Sequence, residues 1–153
     1  MLNPPMIYSK SGLELTEQFE GCRLTAYRDQ GGVLTIGYGH THGVQEGDTC
    51  TQEQAEAGLA SDIAWASLAV NRLVSVPLNQ AEYDALTDFV FNVGSGNFST
   101  STLLAKLNAG DFIGAAAEFD RWDKAGGQVV AGLLRRRQAE TDEFLAKVTG
   151  VDS

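Results

Sequence analysis

Residues 19–41 read FEGCRLTAYRDQGGVLTIGYGHT, and this stretch changes from a helical pattern to a β pattern. Two short runs, residues 24–28 and 33–38, are rich in β-branched and aromatic side chains. The tetrapeptide Asp-Gln-Gly-Gly at 29–32 separates them. Strand-forming runs on either side of a glycine-rich turn are typical of an antiparallel β-hairpin. We therefore predict a small antiparallel sheet with loops over residues 22–50.

A short helix is expected before the hairpin. Ser11-Gly12-Leu13-Glu14 has the residue types of a capping box, in which a serine and a glutamate three positions later satisfy free amides. Gly21 suits the left-handed conformation that ends a helix. This prediction places Glu20 in the last helical turn.

Helical periodicity returns at Thr51, where Thr51-Gln52-Glu53-Gln54 forms a second capping box. One apolar stripe predicts a single helix to about Arg72, the longest in the chain. The stripe consists of Ala55, Leu59, Ile63, Ala66, Val70 and Leu73.

Further helices are predicted after Pro77. Asn79 to Glu82 opens one that ends before Gly94, and three more are expected at roughly 101–108, 112–122 and 130–147. The fold class is therefore α+β and mostly helical, in one domain over residues 1–153. Its expected parts are a β-containing lobe with the first helix (11–50), a connecting helix (51–76) and a helical lobe (77–153).

The chain is acidic, with 11 Lys and Arg against 20 Asp and Glu in 153 residues, for a formal net charge of −9. Nucleic-acid binding proteins normally have the opposite balance, so nucleic acid is excluded as a partner. No run approaches the ~20 apolar residues of a membrane span, and the N-terminus lacks the features of a secretory signal. We expect a monomer without a membrane anchor.

Two cysteines, Cys22 and Cys50, are too few for a disulfide scaffold. They are expected to be free thiols in a reducing cytosol, and a bridge is possible only in an oxidising compartment. His40 and His42 have no partners at zinc-ligand spacing. No metal and no other cofactor is predicted.

Glu20, Asp29 and Thr35 are the candidate catalytic residues. The first ends a helix, the second lies at the hairpin tip, and the third is on the second strand. Two carboxyl groups facing one space suit glycoside hydrolysis, in which one group donates a proton and the other is ionised. We assign Glu20 as the acid and Asp29 as the ionised group in a polar turn. Each residue also has an ordinary structural alternative, as a surface, turn or strand residue.

The wider pattern resembles the signature of the phage-type lysozymes, glycoside hydrolase family 24. Glu20-Gly21, Arg23, Tyr27, Asp29 and the run Thr35 to Thr41 match its fixed positions. Later segments match in order, among them Phe91-Asn92-Val93-Gly94 and Gly132-Leu133 followed by Arg136-Arg137. The resemblance covers about residues 11–147.

The resemblance implies a lysozyme-like two-lobed fold and hydrolysis of the β-1,4 bond between N-acetylmuramic acid and N-acetylglucosamine in peptidoglycan. By analogy, Glu20 is the general acid, and Asp29 and Thr35 hold the attacking water for an inverting reaction. An inverting geometry needs the two carboxyl groups roughly 6.5–9.5 Å apart. The enzyme is then an endolysin of the host cytoplasm that reaches the cell wall with the help of a holin.

Four more residues are candidates with structural alternatives. His40 is a substrate-binding candidate that would hydrogen-bond near Asp29 or Thr35, or else a hinge residue. Asn92 matches a glycan-contacting position of the family, or caps a helix. Arg136 or Arg137, but not both, is expected to pair with Glu20 and orient it; the alternative is a solvated basic helix face.

Two other functions compete with hydrolysis. A binding module that kept the fold would have no reason to retain Glu20, Asp29 and Thr35 together. A lytic transglycosylase needs the acid but no residue that holds water, so the presence of Asp29 argues against it. Hydrolysis is therefore the favoured activity.

Overall fold

The computed structural model describes residues 5–146. Residues 13–64 form one compact unit, and the described residues before and after them form a second. The first unit contains most of helix α1 (Lys10–Glu20), strands β1 (Arg23–Arg28) and β2 (Leu34–Gly37), and helix α2 (Gln52–Asp62). The α+β class and the predicted hairpin are confirmed.

The second unit is almost entirely helical. Its helices, in chain order, are α3 (Ala64–Leu73), α4 (Gln80–Val93), α5 (Ser95–Ser99), α6 (Thr102–Asn108), α7 (Phe112–Glu118), a 3₁₀ turn (Phe119–Trp122) and α8 (Ala131–Phe144). The predicted helix over 112–122 therefore changes to 3₁₀ geometry in its last turn. Two elements were not predicted. One is the short helix α5, and the other is a small hairpin of two-residue strands, β3 (Lys124–Ala125) and β4 (Gln128–Val129). The predicted end of the last helix, at residue 147, lies outside the described residues.

The hairpin of the first unit is antiparallel, with Tyr27 opposite Thr35 and Arg28 opposite Leu34. A register irregularity between Arg23 and Tyr27 bends β1. Thr49 pairs with the other edge of β1 in a single bridge opposite Thr25. The hairpin is anchored by its buried side, where Gly37 packs against Ala55 of α2: a Cβ at residue 37 would lie 3.2 Å from the Ala55 Cβ.

Three helix starts were predicted from capping residues, and two of them are confirmed in detail. Thr51 and Asn79 each accept a hydrogen bond from the third helical amide, and Gln54 and Glu82 return the bond to the cap residue. The prediction that Ser11 caps α1 is wrong. Ser9 performs that function, because its Oγ accepts a 3.0 Å hydrogen bond from the Gly12 amide and α1 already begins at Lys10.

The predicted single helix over residues 51–72 is also wrong in one respect, because it is interrupted at Ile63. Neither glycine nor proline occurs in residues 60–66, so no local signal marked this interruption. The apolar stripe itself is correct on both sides of the interruption, since the buried residues include Ala55, Leu59, Ile63, Ala66 and Val70. Within residues 5–146 the longest helices are instead α4 and α8, with 14 residues each.

Packing of aromatic rings holds the second unit together. Phe89 of α4 has edge-on contacts with three rings, with centroids 5.3 to 6.2 Å apart. These partners are Phe98, Phe119 and Trp122. Such geometry adds about 0.5–1.5 kcal/mol per pair beyond the area buried. The unit therefore has its own apolar core.

Candidate active site

Glu20 is the last residue of α1 and is half-buried. The helix ends there because Gly21 takes a positive φ of 69°, which glycine adopts without a steric penalty. Gly39 comes close to the Glu20 carboxyl group: a Cβ at residue 39 would lie 3.6 Å from Glu20 Oε1. The glycine-rich strand end therefore leaves the space beside the candidate acid open.

Asp29 is exposed and organises the hairpin tip. Its Oδ1 accepts 2.9 Å hydrogen bonds from the amides of Gly31 and Val33. The backbone closes the same turn, since the Asp29 amide donates to the Val33 carbonyl over 3.0 Å. Within residues 5–146, Oδ2 accepts no hydrogen bond. One carboxylate oxygen is therefore committed to the turn, and the other remains available.

Arg28 supports this turn from the preceding position. Its Nη1 donates to the Gly32 carbonyl over 2.9 Å, and its Nη2 pairs with Glu46 over 3.0 Å. The ion pair is largely exposed, so its contribution to stability is small. Its geometric effect is to connect the turn to the loop that follows β2. This support was not predicted, since the sequence gives no sign that Glu46 returns to the turn.

Thr35 lies on the same face of the hairpin as Asp29. The register places Asp29 opposite Val33, two residues before Thr35, and side chains two apart along a strand share a face. Asp29 and Thr35 are therefore diagonal neighbours, with Cα atoms about 7–8 Å apart in regular sheets. Thr35 is only 3% exposed, and its hydroxyl donates to the Val33 carbonyl over 2.8 Å.

His40 pairs with a residue that the sequence analysis did not single out. Its Nδ1 lies 2.7 Å from Oδ2 of Asp62, at the end of α2. Its backbone exchanges two 2.9 Å hydrogen bonds with Ile36. The His40 backbone therefore bonds the residue next to Thr35, while its ring pairs with Asp62, and its contact with substrate stays a prediction. This interaction could not be anticipated, because 22 residues separate the partners and Asp62 reads as a solvated helix residue.

Asn92, in the second unit, is the penultimate residue of α4 and is exposed. Its side chain makes no hydrogen bond to another residue of the described part of the chain. The helix ends instead through the Gly94 amide, which donates to the Val90 carbonyl. The alternative of a capping role for Asn92 therefore finds no support, and its role as a glycan contact stays a prediction.

The two candidate arginines of α8 are buried in a charge cluster with Asp88 and Glu140. Arg136 donates to both oxygens of Asp88, over 2.9 Å from Nε and 2.8 Å from Nη2. Arg137 binds Glu140 with N–O distances of 2.8 and 2.9 Å. The alternative of a solvated basic face is therefore wrong for both residues. Pairing of either with Glu20 stays a prediction.

The environment of Gly39 yields a prediction about the acid. In Gly39→Ala, the new methyl group would stand against Glu20 Oε1, the atom that would donate the proton in the reaction implied by the resemblance. We expect the kcat/KM of that reaction to fall roughly 10- to 100-fold. Gly43→Ala is the matched control, because Gly43 also has a positive φ but open space around its Cβ. Equal losses in both variants would attribute the effect to backbone strain alone.

Two general properties complete the site. Among residues 5–146, no group of three or more His, Cys, Asp or Glu side chains is arranged to hold a metal ion. No helix in the same range has the length and apolar character needed to cross a bilayer.

The hairpin and the mostly helical content give this chain the lysozyme-like α+β fold. Residues 17–140 match the family model described as phage lysozyme, so the chain belongs to the phage lysozyme family. It is an endolysin of the phage type, a hydrolase that cleaves peptidoglycan.

Individual relatives agree with this assignment. The endolysin of Acyrthosiphon pisum secondary endosymbiont phage 1 is 51% identical over 143 residues, which cover 91% of this chain and 98% of that protein. A crystal structure of P22 lysozyme, mutant L86M, superposes with a TM-score of 0.87 at 41% identity, over 92% of this chain and 99% of that one. The muramidase domain of SpmX from Asticaccaulis excentricus gives a TM-score of 0.84 at 42% identity, over 90% and 97%.

Proposed function

We propose that this endolysin hydrolyses the β-1,4 bond between N-acetylmuramic acid and N-acetylglucosamine by direct water attack with inversion at the anomeric carbon. Glu20 donates a proton to the leaving glycosidic oxygen. Asp29 and Thr35 hold the water on the opposite face of the sugar. The proposal is supported by the hairpin register, in which Asp29 stands opposite Val33, two residues before Thr35, and by the Asp29 oxygen that accepts no hydrogen bond within residues 5–146.

The hydrogen bonds of the hairpin determine how such a water would be oriented. Because the Thr35 hydroxyl proton is donated to Val33, its oxygen faces the water as an acceptor. Asp29 Oδ2 is also an acceptor. A water that donates both protons to these two oxygens directs a lone pair away from them. That lone pair is then the nucleophile toward the anomeric carbon, and Asp29 takes the proton as the bond forms.

Asp29 has a second effect on the reaction. The transition state of glycoside hydrolysis resembles an oxocarbenium ion, and a nearby carboxylate stabilises its positive charge. The turn amides of Gly31 and Val33 keep the carboxylate in a fixed orientation, since both donate to the same oxygen. No reorganisation of the turn is then needed during the reaction.

The remaining assignments of the proposal concern binding and delivery. His40 and Asn92 contact the glycan, and either Arg136 or Arg137 orients Glu20. The enzyme acts as a monomer, is made in the host cytoplasm and reaches the peptidoglycan of the periplasm after a holin has perforated the inner membrane. Lysis of the host and release of phage follow.

Product analysis tests the reaction. Purified peptidoglycan digested with the enzyme should release glycans with a free reducing N-acetylmuramic acid, and the first-formed product should be the α anomer. An anhydro-muramic product would instead assign a lytic transglycosylase. A first-formed β anomer would replace inversion by a retaining mechanism, and no soluble product would assign a binding module.

Thr35→Val tests the role of the hydroxyl group separately. The shape is kept but the acceptor for water is lost, so we expect kcat to fall roughly 10- to 100-fold with little change in KM. Thr35→Ser, which keeps the hydroxyl, is the control and should retain most activity. The loss of the bond to Val33 costs about 1 kcal/mol of stability, which thermal unfolding of both variants would measure. Full activity of Thr35→Val would remove Thr35 from the mechanism.

A further inference from the structure

Cys22 and Cys50 lie close together in the hairpin unit, although 28 positions separate them. The segment around residue 49 runs along the free edge of β1: the Cys50 amide donates to the Leu24 carbonyl over 2.9 Å, and the Ala26 amide donates to the Asp48 carbonyl over 2.8 Å. These bonds place Cys50 opposite Leu24, two residues after Cys22. The side chain of Cys22 reaches the same segment, since its Sγ lies 3.8 Å from Oε1 of Gln52, two residues after Cys50.

Cys22 directly precedes β1, so the two cysteines stand close to the diagonal positions of an antiparallel pair. Diagonal Cα atoms lie about 7–8 Å apart in a regular antiparallel pair, whereas a disulfide needs roughly 4.4–6.8 Å. A shift of about 1 Å would therefore close the gap. Cys22 has freedom for such a shift because it follows Gly21, around which nothing lies within 4 Å of a Cβ position.

Both thiols are free in this structure and only partly buried. Burial raises the pKa of the Cys22 thiol, and the charge of Cys50 raises it further, which agrees with their proximity. Cys50 also lines a cavity of about 260 Å³ together with Ile36, His40 and Ala55, among others. Cys50 is therefore better placed to attack a disulfide oxidant first, and Cys22 is better placed to attack the mixed disulfide that results.

We propose that Cys22 and Cys50 form an intramolecular disulfide when the enzyme meets an oxidising compartment. The Cys50 thiolate attacks a disulfide-bonded thiol oxidant and releases one of its thiols. The Cys22 thiolate then attacks Sγ of Cys50 in the mixed disulfide and releases the second thiol. Two protons and two electrons leave the protein, and the oxidant is reduced from a disulfide to two thiols.

The bond would have a structural consequence at the candidate active site. Cys22 is two residues after Glu20, and Cys50 directly precedes the cap residue of α2. The bridge therefore ties the end of the acid-bearing helix to the start of α2. The proposal rests on the proposed function in one respect, since that function is what takes the protein to the periplasm, where disulfides persist.

Oxidation of the purified reduced protein with oxidised glutathione tests the inference. We expect the intact mass to fall by two hydrogens, a Cys22–Cys50 linked peptide in the non-reducing digest, and a rise in Tm of about 10 °C that dithiothreitol reverses. Cys22→Ser and Cys50→Ser are the controls, and each should show a glutathione adduct without the rise in Tm.

Other outcomes overturn the proposal. Glutathione adducts on both cysteines of the wild-type protein, a disulfide-linked dimer, or two thiols that stay free would each do so. The product analysis, made on the reduced protein, keeps the two proposals apart. Hydrolysis without a bridge defeats only the disulfide, and a bridge without hydrolysis defeats only the proposed reaction.

Discussion

Replacement of Glu20 by glutamine is expected to reduce kcat on peptidoglycan on the order of 10³-fold, because an amide cannot donate the proton that the leaving oxygen needs. The two side chains have nearly the same shape, so the half-buried end of α1 should keep its packing. Binding of glycan should therefore persist while turnover is lost. Turbidity loss of chloroform-treated Gram-negative cells, with reducing-end release from purified peptidoglycan, measures the effect.

The matched control is Glu17→Gln. Glu17 lies one turn earlier on the same helix and is also half-buried, and its pKa is raised by burial and by the neighbouring Glu56 and Glu14. Removal of its charge relieves this repulsion, so we expect near wild-type activity. If Glu20→Gln clears cells as fast as Glu17→Gln, the proton donor has been assigned to the wrong residue.

The second large effect concerns stability. Glu140 and Arg137 are both 0% exposed and form an ion pair inside the helical unit. Burial lowers the pKa of Arg137, and the charge of Glu140 acts in the opposite direction. Glu140→Gln would remove the carboxylate that binds this guanidinium directly, while Asp88, the other acid that acts on Arg137, is bound by Arg136. Loss of one partner of a buried pair typically costs about 3–5 kcal/mol.

A loss of this size should lower Tm by about 10 °C in a chain of this length. Calorimetry or circular dichroism measures it, and Glu143→Gln on the same helix is the control. Glu143 is only partly buried, and we expect a change within about 0.5 kcal/mol. The double variant Arg137→Met with Glu140→Leu should recover much of the loss, since apolar residues can replace a buried pair. Equal unfolding temperatures of Glu140→Gln and wild type would show that the pair contributes nothing.

Local sequence patterns identified most of the architecture. The strand–turn–strand chemistry of residues 24–38 and the caps at Thr51 and Asn79 use side-chain and backbone groups only a few residues apart, so each could be recognised without knowledge of the fold. The same applies to Gly21 at the end of α1. The cap of α1 is the exception, because both Ser9 and Ser11 are suitable. The position of Ser9 is supported by Asp84, whose Oδ1 accepts a 3.2 Å hydrogen bond from the Ser9 amide, although 75 residues separate the two.

What the sequence determined by itself was the α+β class, the hairpin and the residue types of the candidate site, because these depend on interactions within about ten residues. The tertiary structure alone decided the pairing of His40 with Asp62, the burial of Arg136 and Arg137, and the proximity of Cys22 to Cys50. Most of these join a charged or reactive group to a partner distant in the sequence. The pair of Arg137 with Glu140 is local, and its burial depends on whether this face of α8 meets solvent or a neighbouring helix. Periodicity cannot make that distinction, since a charged side chain looks the same in the sequence whether water or a buried counter-charge surrounds it.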